Sequence, residues 1–119
     1  MEVRAHSFPK SEKLCSKTAI SALMAKGHWS GTAHLRFCRL ANGAEINRVM
    51  FSVPKKLFKR AVKRNLLKRR LREAYRLNKE MLGGLPCMDL MFVYNSPEIA
   101  DFACLQEEMR EILRRCGNK

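Results

Sequence analysis

Acidic residues are few in this chain, and scarce where basic ones crowd together. Of 119 residues, 24 are Lys or Arg and 11 are Asp or Glu. The stretch from Lys55 to Lys79, KKLFKRAVKRNLLKRRLREAYRLNK, holds twelve bases and one acid, Glu73, a formal +11 against +13 for the whole chain. A merely solubilising surface would mix both signs, so a one-sign block points to a polyanionic partner, nucleic acid or an anionic membrane. Long apolar runs are also missing. None approaches the roughly 18 residues that a spanning helix needs, and the opening MEVRAHSFPKSEKLC lacks the apolar stretch of a signal peptide. A cytoplasmic protein is expected. Paired cysteines are absent too: Cys15, Cys38, Cys87, Cys104 and Cys116 are odd in number and stand singly, with no CxxC. That pattern indicates neither a disulfide framework nor a zinc site, and the expectation is reduced thiols used mostly as small core residues.

Catalytic groups are equally sparse. His6, His28 and His34 lie apart with no metal-ligand spacing, and Asp89 stands alone in an apolar stretch. There is no phosphate loop, nucleophile elbow or carboxylate cluster for metal ions. No catalytic residue and no protein-bound metal is expected.

What is present describes one folded, basic domain over residues 1–119 suited to nucleic acid. Hydrophobic residues make up 46% and the sequence pI is about 10.1, as in a basic globular binder of nucleic acid. Residues to about Lys10 read as irregular. Ser11 is a plausible cap for a helix to about Ala25, with Gly27 beyond its end. A short strand is possible at Trp29–Ser30. His34–Leu40 alternates, with Leu35 and Phe37 on one face, and Asn42-Gly43 is a turn. Arg48–Val53 makes the next strand, ended by Pro54. A helix from about Leu57 to Asn78, a loop at Gly83–Pro86, and a doubly buried strand Cys87–Tyr94 follow. The last helix is predicted to start at Ser96-Pro97-Glu98 and end near Cys116-Gly117, with Leu105, Met109, Ile112 and Leu113 as its core stripe. The class is α+β, in the order αβββαβα, one sheet packed by helices.

At 100° per residue, Leu57, Ala61, Leu67, Leu71, Ala74 and Tyr75 share the inward face of the basic helix. Beside them runs a ridge of Arg64, Lys68, Arg72 and Arg76 at i, i+4 spacing, flanked by Asn65 and Arg69. Like charges so spaced repel by roughly 0.2–0.5 kcal/mol per pair, a burden that helix stability does not explain. The helical rise sets them about 6 Å apart, close to one phosphate spacing along a strand. Arg offers bidentate contacts to phosphate, Lys a point charge, and Asn65 a donor and acceptor for a base edge or sugar hydroxyl. Binding should run through phosphates, with steep salt dependence. Charge alone equally suits a structural RNA-binding protein of ribosomal type without linked cleavage. A membrane-surface segment would need an apolar face left exposed, and no duplex-DNA docking motif is present.

Phe51-Ser52-Val53-Pro54-Lys55-Lys56, followed by Ala61 through Arg76 (AVKRNLLKRRLREAYR), resembles the protein component of bacterial ribonuclease P. That family has a strand ending in Ser-Val-x-Lys-Lys, then a helix with Arg-Asn-Arg, a Lys-Arg pair, and an Arg before an aromatic. The match is tight over about 26 residues. Leu66 replaces the second Arg of Arg-Asn-Arg, and the link from Lys56 to Arg64 is one residue longer, with Phe58-Lys59-Arg60 in place of a Gly-containing turn. Arg64, Asn65, Lys68, Arg69 and Arg72 still align.

The resemblance implies a left-handed βαβ crossover and an accessory subunit of an RNA-catalysed endoribonuclease that removes the 5′ leader of precursor tRNA. Its partners would be ribonuclease P RNA and precursor tRNA, with Mg²⁺ used by the RNA, no membrane and no required protein partner. Lys55, Lys56, Arg64, Asn65, Lys68, Arg69, Arg72 and Arg76 would contact RNA. A cleft between the first helix and the sheet, lined by Lys10, Leu14, Arg36, Phe37 and Phe51, would hold the leader. Phe37 fits either an exposed base-stacking ring there or the core.

Overall fold

The computed structural model describes residues 13–14, 16–43 and 46–117. Lys10 and the expected cap Ser11 lie outside them. Helix α1 spans Lys17–Lys26, strand β1 His28–Gly31, β2 Leu35–Ala41, β3 Arg48–Ser52, helix α2 Ala61–Asn78, β4 Met88–Tyr94 and helix α3 Phe102–Gly117, with a 3-10 turn Lys79–Leu82 after α2. The order αβββαβα and the α+β class agree with the sequence reading.

The sheet runs β1-β2-β4-β3. β1 pairs with β2 and β2 with β4 antiparallel, whereas β3 and β4 are parallel neighbours joined by the crossover through α2. β4 is therefore central, which is why its sequence is an apolar run rather than an alternation. Its side chains feed two cores. Leu90, Phe92 and Tyr94 join Leu35, Phe37 and Val49 beneath Leu67, Leu71, Tyr75, Leu105 and Met109 of α2 and α3. Met91, with Val93 packed beside it, meets Cys38, Leu14 and Leu23 on the α1 side. Asp89, the acid in this strand, is buried and satisfied: Arg48 donates from Nε at 2.9 Å and from Nη2 at 3.1 Å, and Asn42 Nδ2 donates at 2.9 Å. β3 is an edge strand, and the chain before α1 covers part of it through a parallel bridge of Lys13 to Val49, with Leu14 N–H donating to Val49 O at 2.9 Å.

The three predicted helix starts move, and the strand ends shift by at most a residue. α1 is capped by the Ser16 hydroxyl, which accepts from Ala19 N–H at 3.3 Å, so the described helix begins at Lys17. α2 begins at Ala61, not Leu57. Leu57 sits in a turn whose N–H donates to Pro54 O, and Arg60 is still extended. Leu57 thus packs from the loop and Ala61 is exposed, so the inward stripe starts at Leu67. α3 begins at Phe102. Ser96 Oγ accepts from Glu98 N–H in a local turn, while Asp101 Oδ1 caps the helix by accepting from Cys104 N–H at 2.8 Å.

Gly27 ends α1 for reasons of space. Its φ is −69°, open to any residue, but a Cβ there would run into Cys38 Sγ and Leu23 O. The sheet could not approach the helix end so closely with a side chain at this point.

Candidate nucleic-acid interface

The ridge of α2 divides into residues held by the fold and residues left to solvent. Arg64 folds back and donates from Nη1 to Phe58 O at 2.7 Å and Lys59 O at 2.8 Å. It clips the turn that leads into a helix whose Arg60 cap offers no side-chain bond. Arg76 pairs with Glu73, donating from Nε to Oε2 at 3.1 Å and from Nη2 to Oε1. The hydrogen bond from Arg76 holds the Glu73 carboxyl below its ordinary range and raises the guanidinium in turn. Arg70, outside the predicted ridge, donates to Ala100 O at 2.6 Å and pins the link between β4 and α3.

The side chains of Asn65, Lys68, Arg69 and Arg72 make no hydrogen bond or ion pair among the described residues, and Lys55 and Lys56 are exposed on the approach to the helix. Lys68 and Arg72, one turn apart, form one wall of a groove. Lys13 stands on the opposite side, and Leu14, Val49, Met50 and Phe51 complete the lining. A trough with cationic walls and an apolar, partly aromatic lining can take phosphates along its rim and a base or sugar against Phe51. Leu66, at the position of the missing Arg, is half-buried.

The residues assigned to the leader cleft do not share one face of the sheet. Phe37 is core: it is 1% exposed and stacked on Phe92 with centroids 6.3 Å apart. Phe51 is half-buried on the same sheet face, stacked on Phe92 at 5.6 Å and edge-on to Tyr75 at 6.0 Å, so it belongs to the α2 groove. Leu14 is buried beneath the α1 side while also lining that groove. Arg36 projects from the opposite sheet face, its guanidinium 5.0 Å from the centroid of Trp29. Successive strand residues alternate faces, so Arg36 and Phe37 could never line one cleft; that signal was available in the β2 alternation. The short strand expected at Trp29–Ser30 forms as β1, but so short an edge strand carries too little pattern to show which way Trp29 faces. Its half-buried ring and the cation over it make an aromatic platform on the α1 side of the sheet.

A model of the family described as Ribonuclease P matches residues 8–117. The chain belongs to the ribonuclease P protein family. A Porphyromonas gingivalis protein named ribonuclease P protein component is 36% identical over 118 residues, spanning 92% of this chain and 86% of that one. The Sodalis glossinidius protein of the same name is 31% identical over 111 residues, 92% and 90% of the two chains. The fold is also that of solved ribonuclease P proteins. The Thermotoga maritima protein superposes with a TM-score of 0.76 at 24% identity, covering 87% of this chain and 96% of that one. The Staphylococcus aureus protein gives 0.76 at 22%, covering 89% and 95%. Family membership and an unbalanced cationic helix beside an aromatic groove thus coincide in one molecule. Among the described residues no helix is long and apolar enough to cross a membrane.

Proposed function

We propose that this protein docks on ribonuclease P RNA through Lys55, Lys56 and the outward ridge of α2, and that the complex cleaves the 5′ leader from precursor tRNA. The observation that carries this is the set Asn65, Lys68, Arg69 and Arg72, which is spaced for phosphates and has no partner among the described residues. A helix that only closed a core would not hold these charges unpaired beside a groove. Arg64 and Arg76 act from anchored positions, Arg64 by ordering the turn that presents Lys59 and Arg60.

The chemistry belongs to the RNA and its Mg²⁺. Mg²⁺ favours oxygen ligands in near-octahedral array. The single-stranded leader fits the α1 side of the sheet, where Trp29 and Arg36 provide stacking and charge.

Reconstitution tests the proposal. Precursor tRNA, a bacterial ribonuclease P RNA and the full chain are combined at low Mg²⁺, and mature 5′ ends are measured. The expected result is cleavage well above RNA alone, with none from protein alone. Cleavage no better than RNA alone would favour a ribosomal-type binder, and cleavage by the protein alone would move the chemistry onto its side chains. Trp29 is the only tryptophan, so its fluorescence reads the leader path. Precursor tRNA should perturb it more than mature tRNA does, and equal responses would remove the leader from that face.

A further inference from the structure

His34, Cys104 and Glu108 meet on elements that carry none of the basic ridge. Cys104 and Glu108 are one turn apart on α3, on one helical face, and His34 stands just before β2, its carbonyl accepting from Asn95 N–H at 2.7 Å. Glu108 Oε2 lies 2.6 Å from His34 Nδ1 and 3.4 Å from Cys104 Sγ, and Sγ lies 3.9 Å from Nδ1. The other carboxylate oxygen, Oε1, accepts from Thr32 Oγ1 at 2.5 Å and from His34 N–H at 2.8 Å. Those two donors set the carboxylate plane and leave Oε2 turned toward the imidazole and the thiol. All three residues are half-buried.

We propose that His34 Nδ1, the Cys104 sulfur and Glu108 Oε2 form a binding site for Zn²⁺ or a similar borderline divalent cation, with water as fourth ligand. Ligand distances of about 2.0–2.3 Å in a tetrahedron put donor atoms about 3.3–3.6 Å apart. Both sulfur separations are already within a few tenths of an ångström of that, and the nitrogen–oxygen pair needs only to open by about 0.7 Å. The cation takes the place of the hydrogen between Nδ1 and Oε2, the neutral imidazole then carrying its proton on Nε2, and it displaces the thiol proton, which passes to solvent. Imidazole, thiolate and carboxylate together suit Zn²⁺ or Co²⁺ and are poor ligands for Mg²⁺. Thr32 supports the bound carboxylate from behind, as outer partners of metal ligands commonly do. The bound ion would tie the β1–β2 hairpin to α3. A plain His–Glu bridge, the competing account, has no use for a thiol within reach of both groups.

Co²⁺ titration of the full chain, stripped of metal and kept reduced, tests the site. One equivalent should produce a thiolate-to-cobalt charge-transfer band that Zn²⁺ bleaches and excess Mg²⁺ does not. Cys104→Ser should abolish the band and Cys87→Ser should retain it, with circular dichroism confirming that both fold. His34→Gln, which keeps the thiol, should weaken Co²⁺ binding at least tenfold, and Thr32→Val about ten- to a hundredfold. No band in the native chain, a band that survives Cys104→Ser, or unchanged affinity in His34→Gln would each overturn the site.

Discussion

Helices α2 and α3 lie side by side on the same face of the sheet, yet they treat charge in opposite ways. α3 carries three acids, Glu107, Glu108 and Glu111, against three arginines. Each arginine is engaged: Arg110 donates to Asn78 Oδ1, Arg114 to Glu111, and Arg115 to Ser30 Oγ and Gly31 O while also facing Glu111. α2 carries seven bases and one acid, and Lys63, Lys68, Arg69 and Arg72 have no partner among the described residues. Both helices bury leucines in one core, so the difference lies in the outward faces. Charge on α3 builds the protein, whereas four of the seven bases on α2, Lys63, Lys68, Arg69 and Arg72, are left over for something else.

The largest effect should come where the two helices are alike. Leu71 is fully buried between α2 and the sheet, and Leu71→Ala should lower stability by about 2–5 kcal/mol through lost transfer energy and a residual cavity. Urea unfolding measures it; a drop below about 1 kcal/mol would mean that the core is looser than its packing suggests. Next comes the difference itself. Lys68→Ala with Arg72→Ala should weaken RNA binding and reduce the salt slope by about one unit for each phosphate no longer neutralised, with little change in unfolding. An unchanged slope would remove this ridge from the interface.

Smaller effects sharpen the contrast. Glu73→Gln takes away the ion-pair partner of Arg76 and should tighten RNA binding modestly while steepening its salt dependence. The Glu73 carboxyl is held below its ordinary value, so the pair is intact at neutral pH and is lost only as pH falls through that lowered value. Weaker binding in Glu73→Gln would show that the pair positions Arg76 for RNA. Smallest is Arg114→Ala on α3. An exposed i, i+3 pair contributes about 0–1 kcal/mol, and RNA affinity should not move. A drop in affinity comparable to that of the α2 variant would erase the distinction between the helices.

Much of the cationic ridge was legible beforehand because it is local. A ridge at i, i+4 depends only on helical period, and Lys68, Arg69 and Arg72 stand on it as the spacing predicts. Helix starts were less legible, since Ser16, Arg60 and Asp101 compete with equally reasonable caps nearby. The residues assigned to the leader cleft are dispersed for a different reason. Arg36, Phe37 and Phe51 were grouped by resemblance without regard to strand parity, and parity separates Arg36 from the two rings.

Charge, period and the apolar run of β4 by themselves determined an α+β protein with one cationic helix, because each follows from spacing along a single element. Tertiary structure decided which further cations remain available. Arg76 has Glu73 one turn away on its own helix and Arg64 bonds the turn just before it, but Arg70 looks identical to Arg69 and Arg72 in the sequence and differs only because Ala100 O lies within its reach. It also decided that Phe51 lines a groove while Phe37 does not, and that His34 meets Cys104 and Glu108 across some 70 residues. Contacts of that range arise from how the sheet and α3 pack together, which no local pattern encodes.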